Sequence, residues 1–96
     1  MKGYVIANVE VTDPVAYEAY RAQTAAIIAQ YGGRFLVRGG AVHVREGDPG
    51  IGRLVVLEFP SFEAATIFYD SPEYQAIVPI RQEFARSTLF IVEGVE

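Results

Sequence analysis

The sequence contains no cysteine and no tryptophan, and only one histidine and one methionine. Without cysteine there are no disulfides, no thiolate nucleophile and no cysteine-based metal site. The lone histidine, His43, cannot build a multi-histidine centre, and no carboxylates join it at ligand spacing, so no metal is expected. Positive charge is also scarce: eight Lys and Arg face twelve Asp and Glu, for a net charge of −4. Nucleic-acid binders draw most of their affinity from neutralised phosphates, so an acidic chain without a basic run is a poor candidate. No apolar stretch approaches the ~18 residues that span a bilayer. Met1-Lys2-Gly3-Tyr4 leads straight into a strand pattern, without the apolar segment of a signal peptide. The expectation is a cytoplasmic protein with no membrane or nucleic-acid partner. Phosphate-binding loops are missing too, because Gly32-Gly33 and Gly39-Gly40 fit turns rather than G-x-G-x-x-G.

What the chain does have is apolar surface. Apolar residues make up 51% of it and charged residues 21%, and the mean hydropathy is +0.20. Ninety-six residues read as a single domain over residues 1–96, with more apolar surface than so small a core can use. Tyr4 to Val11 is a strand pattern rich in β-branched residues. Asp13-Pro14 then marks a helix start, with Asp13 able to cap free N–H groups. Tyr17, Tyr20, Thr24, Ile27, Ile28 and Tyr31 form one stripe on that helix, assigned to core. Gly32-Gly33 ends it. Arg34 to Arg38 is a second strand, Ala41 to Arg45 a short strand or hairpin arm, and Glu46 to Gly52 a turn-rich loop. Arg53 to Phe59 is a third strand. A helix follows over Phe62 to Tyr69 with Ser61 as its cap, and a further helical piece opens at Ser71-Pro72. Pro79 falls inside that piece and predicts a kink or break. Ser87 to Val92 is the last strand.

The order predicts an α+β fold: two right-handed β-α-β units merged into one antiparallel sheet, the ferredoxin-like sandwich. Period-two geometry puts Tyr4 and Ile6 opposite Val5, Ala7, Val9 and Val11, and Leu54 and Val56 opposite Val55, Leu57 and Phe59. Both faces are thus apolar, yet two helices cover only one. Solvated antiparallel faces are normally polar, so a second copy of the chain is expected on the other face, with Val55 as a partner-facing position.

Several side chains are candidates for binding a small molecule. Asn8 interrupts an apolar strand, and a buried amide needs hydrogen-bond partners. It reads either as a hook in a cleft between sheet and helices or as a tie to a neighbouring loop or helix end. Arg34 and Arg38, four residues apart, are expected on one strand face, with Glu58 nearby. Such a group binds an acidic ligand, orients a base, or forms a structural ion pair. Tyr69, Tyr74 and Arg81 accompany the Asp-Ser-Pro-Glu-Tyr elbow and suit either a phenolic ligand or ordinary packing. His43 reads as a solvated residue or an acid–base group. No nucleophile–base pair stands out.

The runs Gly3-Tyr4-Val5-Ile6-Ala7-Asn8-Val9, Tyr31-Gly32-Gly33-Arg34-Phe35-Leu36-Val37-Arg38-Gly39-Gly40, Val56-Leu57-Glu58-Phe59-Pro60-Ser61 and Tyr69-Asp70-Ser71-Pro72-Glu73-Tyr74 resemble the DUF1330 family over nearly the whole chain. The resemblance implies the dimeric α/β-barrel superfamily, in which the sheets of two subunits face each other. Families near it include antibiotic-biosynthesis and haem-degrading monooxygenases, muconolactone-isomerase-like enzymes and stress-responsive proteins. Haem-degrading relatives carry an asparagine on the first strand, which Asn8 matches. They also need a histidine on the second helix and an indole, both missing here, so no haem chemistry and no cofactor are expected. The resemblance therefore implies either a cofactor-independent enzyme, monooxygenase- or isomerase-like, acting on a small aromatic or polyketide-like molecule, or a non-catalytic small-molecule-binding or stress-related homodimer.

Overall fold

The computed structural model describes residues 1–96. The elements are β1 (Gly3–Val11), α1 (Pro14–Gln30), β2 (Arg34–Arg38), β3 (Arg53–Phe59), α2 (Phe62–Asp70), the single turn α3 (Pro72–Gln75), α4 (Val78–Phe84) and β4 (Ala85–Glu93). The strands form one sheet in the order β2-β3-β1-β4, and every neighbouring pair is antiparallel. This is the expected ferredoxin-like α+β fold.

Local chemistry explains the helix boundaries. The Asp13 carboxylate accepts from the Ala16 amide at 3.1 Å, and Pro14 supplies the preset φ of a first helical residue. The Ser61 hydroxyl accepts from the Ala64 amide at 3.0 Å, and Ser71 caps α3 through the Tyr74 amide at 3.1 Å. Pro79 breaks the second helical region as predicted. A proline cannot donate within a helix but is tolerated in a first turn, so α3 ends and α4 begins afresh around it. At the end of α1 the chain needs glycine for space. A Cβ on Gly33 would lie 2.5 Å from the Phe59 ring and 2.9 Å from Ile28.

All the helices lie on one face of the sheet, over Val5, Ala7, Val9, Leu57 and Phe59, which are buried. Ile28, Phe59 and Phe68 fill the centre of this layer. Phe68 stacks between Phe59, at 4.9 Å, and Tyr74, at 4.5 Å. The opposite face carries Tyr4, Ile6, Asn8, Leu54, Val56, Phe90 and Val92, and no element covers it. The molecule is accordingly only 16 Å thick along its shortest axis, the depth of one sheet and one helix layer. Val55 pairs with Ala7, so it faces the helices rather than a partner. That corrects its expected position, because two apolar faces of equal period do not reveal which one the helices choose.

Two further expectations are corrected. β2 carries a bulge between Phe35 and Val37. The extra residue reverses the alternation, so Arg34 stands on the open face opposite Glu58 while Arg38 points to the helix side opposite Val55. They do not share a face. Residues 41–45 form no strand and make no backbone–backbone hydrogen bond. Gly39, at φ +71°, turns the chain away from the sheet, and the glycine-rich return leaves the arm nothing to pair with. Strand geometry without a cross-strand partner has little to hold it.

Candidate functional site

Between the sheet and α1 lies a cavity of about 60 Å³, room for several waters or a compact part of a ligand. Its floor is the helix-facing side of the sheet, with Val5, Ala7, Val9, Val55, Leu57 and Leu89. Small and β-branched residues at these positions leave a hollow that larger ones would fill. Its roof comes from Tyr17, Tyr20, Thr24 and Ile28 of α1, and its end wall from Phe68 and Tyr74. The tyrosine stripe on α1 is therefore both core and cavity wall.

Polar groups enter this apolar space at two places. The Tyr20 and Tyr74 hydroxyls are 2.6 Å apart, within a buried pair. Burial pushes the Tyr20 hydroxyl well above the ordinary tyrosine range, and the neighbouring Tyr74 adds to this. Burial raises Tyr17 as well. Both phenols therefore stay protonated at neutral pH and serve as hydrogen-bond donors rather than bases. Beside them lies Arg81, only 5% exposed. One of its terminal nitrogens donates to the Ser87 hydroxyl, while its Nε has no partner.

At the rim stand Arg21, Arg38 and Arg53, of which Arg21 and Arg38 are solvent-exposed. The Arg38 guanidinium lies 4.2 Å from the centre of the Phe35 ring, a cation–π arrangement that fixes its plane. Arg53 lies against Gly39, where an added Cβ would sit 3.1 Å from its side chain. The left-handed turn at Gly39 thus also gives Arg53 its place.

Of the expected ligand-binding residues, Arg38, Tyr74 and Arg81 converge on this cavity. Tyr69 stands beside it, 5.6 Å from the Tyr74 ring, in a shallow depression that Arg81 shares. Asn8 and Glu58 are elsewhere, on the open face. Asn8 donates to the Gly50 carbonyl at 3.3 Å and accepts from the Gly52 amide at 2.8 Å. This is the loop tie of its two readings, and the hook in the helix–sheet cleft is corrected. Strand alternation puts position 8 opposite Ala7 and Val9. Glu58 accepts from Arg34 Nε at 3.0 Å and from the Tyr4 hydroxyl at 3.4 Å, a rim ion pair on the open face. His43 is exposed on the 41–45 arm, away from the cavity. No group of three or more His, Asp or Glu side chains comes together anywhere in the chain.

Tyr17, Tyr20, Arg21 and Arg53 were not among the expected site residues, yet they line the cavity. One signal was present for the first two: a core stripe built of tyrosine rather than leucine carries hydroxyls that must be satisfied inside. Nothing in the sequence marks Arg53, which the sheet register alone brings opposite Val9.

Residues 2–95 match the profile of a domain of unknown function, DUF1330. The chain belongs to the DUF1330 family. No curated protein is significantly similar to it in sequence. Among solved structures, this DUF1330 chain resembles a protein of unknown function from Rhodopseudomonas palustris. They share 20% identity with a TM-score of 0.72, covering 99% of this chain and 83% of that one. It also resembles SnoaB, a cofactor-independent oxygenase from Streptomyces nogalater, at 15% identity and a TM-score of 0.62, covering 99% and 94%. A third likeness is to Rv0793 from Mycobacterium tuberculosis, at 21% identity and a TM-score of 0.57, covering 100% and 97%. At these identities the DUF1330 chain shares a fold with them. No helix of the chain is long and apolar enough to cross a membrane.

Proposed function

We propose that this DUF1330 protein binds a small, largely apolar molecule in the cavity between its sheet and α1, and that it does so as a homodimer whose second copy covers the open sheet face. The observation that carries the reading is the cavity itself: an apolar hollow into which only a few buried polar groups converge, the usual make-up of a small-molecule site. Neither a carboxylate nor the histidine lines it, so proton abstraction by a side chain near neutral pH has no agent there. Binding therefore leads over catalysis.

Tyrosine emission offers a direct test. The chain has no tryptophan and six tyrosines, and Tyr17, Tyr20 and Tyr74 line the cavity. Titration with a panel of one- and two-ring aromatic compounds should quench this emission saturably for at least one chemical class. Val55→Phe, which fills the hollow from its floor, should abolish the response while leaving the circular dichroism unchanged. A panel without effect, or one whose effect survives Val55→Phe, rules the cavity out as the site.

A second reading is favoured by the fold shared with SnoaB and by the hydroxyl pair and charge at the end wall. Donors and a cation placed there would stabilise negative charge developing on an occupant, as a cofactor-independent oxygenase or isomerase requires. Oxygen uptake or ligand turnover by the wild type, lost in Tyr74→Phe, supports it. A ligand that binds but is recovered unchanged in air leaves the protein a binder.

A further inference from the structure

Charge is distributed around the cavity in a way that the composition does not anticipate. The chain is acidic, yet four of its eight basic residues, Arg21, Arg38, Arg53 and Arg81, line this one cavity, and none of its twelve acidic residues does. Three of the four have no internal counter-charge. Ion pairs in the chain join Arg21 to Glu18, Arg34 to Glu58 and Arg86 to Glu10, which leaves Arg38, Arg53 and Arg81 without a carboxylate. For Arg38, at the solvent-exposed rim, this means little. For Arg81 it means a great deal. A guanidinium never deprotonates in a protein, and this one is nearly fully buried with one nitrogen unsatisfied. A buried charge without a partner is strongly unfavourable unless something enters to compensate it.

We infer that the natural occupant is a small organic carboxylate, its apolar body on the floor of Val55, Leu57 and Ala7 and its anionic group drawn past Arg38 and Arg53 toward Arg81. This rests on the cavity being a binding site and specifies what enters it. The planar fork of a guanidinium matches a carboxylate in a bidentate pair. The Tyr20–Tyr74 hydroxyl pair, 2.6 Å apart, adds a donor beside it. Low-dielectric walls around a rim of one sign also concentrate the field along the entry path, so the long-range attraction selects anions before the cavity selects shape.

The test compares each acid with its neutral amide on the intact protein, using benzoate against benzamide and 2-naphthoate against 2-naphthamide. Binding is followed by amide and arginine side-chain resonances in heteronuclear spectra. The expected result is a saturable shift of cavity residues by at least one acid, with the Arg81 Nε–H resonance among those that move. That acid should bind roughly tenfold or more tightly than its amide, and the preference should shrink as salt rises. Arg53→Gln together with Arg38→Gln, both at the rim, should shrink the preference for the acid over its amide several-fold. This pair keeps the test open even if Arg81→Gln fails to fold. Equal affinity for acid and amide would overturn the carboxylate inference while leaving the cavity a binding site. No cavity response to any of the four compounds would take down both.

Discussion

Asn8 carries two hydrogen bonds of different kinds, giving one to the Gly50 carbonyl and receiving one from the Gly52 amide. It thereby closes the return of a long irregular segment onto β1 just before β3 begins. Asn8→Ala removes both bonds and leaves the Gly52 amide without its acceptor, a loss of about 1–2 kcal/mol. The expected outcome is a lower melting temperature and faster hydrogen exchange at Gly52. Ligand affinity at the helix–sheet cavity should stay within twofold, because the side chain stands on the opposite face. A large drop in affinity at unchanged stability would restore the hook reading. That position 8 was special was legible, since a single amide in an apolar strand needs a reason. Which reason was not, because period two separates the faces without saying which one the helices cover. Arg38 and Arg81 were legible as candidates, but Arg53 was not, because only strand pairing brings it opposite Val9 on the helix side.

At the scale of elements, the caps and breaks followed from local chemistry, and so they were readable. Asp13-Pro14, Ser61 and Ser71-Pro72 each start a helix by satisfying free N–H groups from their own neighbourhood. The bulge in β2 was unreadable, because Phe35-Leu36-Val37 would alternate equally well without it. The expected strand at 41–45 failed for a related reason: its valines had strand character, but no partner lay within reach. Besides the Tyr20–Tyr74 pair, a second contact joins the end of α1 to α3. The Tyr31 hydroxyl donates to a Glu73 carboxylate oxygen at 2.6 Å, and Gln30 reaches the other oxygen at 3.4 Å. The hydrogen bond from Tyr31 is the main cause that holds Glu73 below the usual carboxylate range. A group whose pKa is lowered on folding contributes stability above its unfolded pKa and loses it as pH falls through the folded one. The tie is thus intact at neutral pH and dissolves in acid, below the ordinary glutamate range. Glu73→Gln should melt lower than wild type at pH 7, and the gap should close toward pH 3. A gap independent of pH would mean that the side chain acts through packing alone.

On the scale of the whole molecule the unfinished feature is the bare side of a slab 16 Å thick. Phe90 and Val92 are 51% and 42% exposed there, alongside the half-buried Ile6, Leu54 and Val56 of the two central strands. Charged groups on this face, Glu58 with Arg34 and Glu10 with Arg86, lie toward its margins. An apolar centre with a polar edge is what a second sheet would cover, and burying each phenylalanine is worth about 1.5–3 kcal/mol. In a dimer Phe90 enters twice, so Phe90→Glu should turn a dimer into a monomer by light scattering. Its circular dichroism should not change, since the ring lies outside the core of the single chain. Val55→Glu makes the opposite prediction. It puts a charge among Ala7, Leu57 and Tyr20 and should destabilise the fold itself. If Phe90→Glu remained a dimer of wild-type mass, the two copies would have to meet through the helices or the 41–45 arm, and the open face would need another cover.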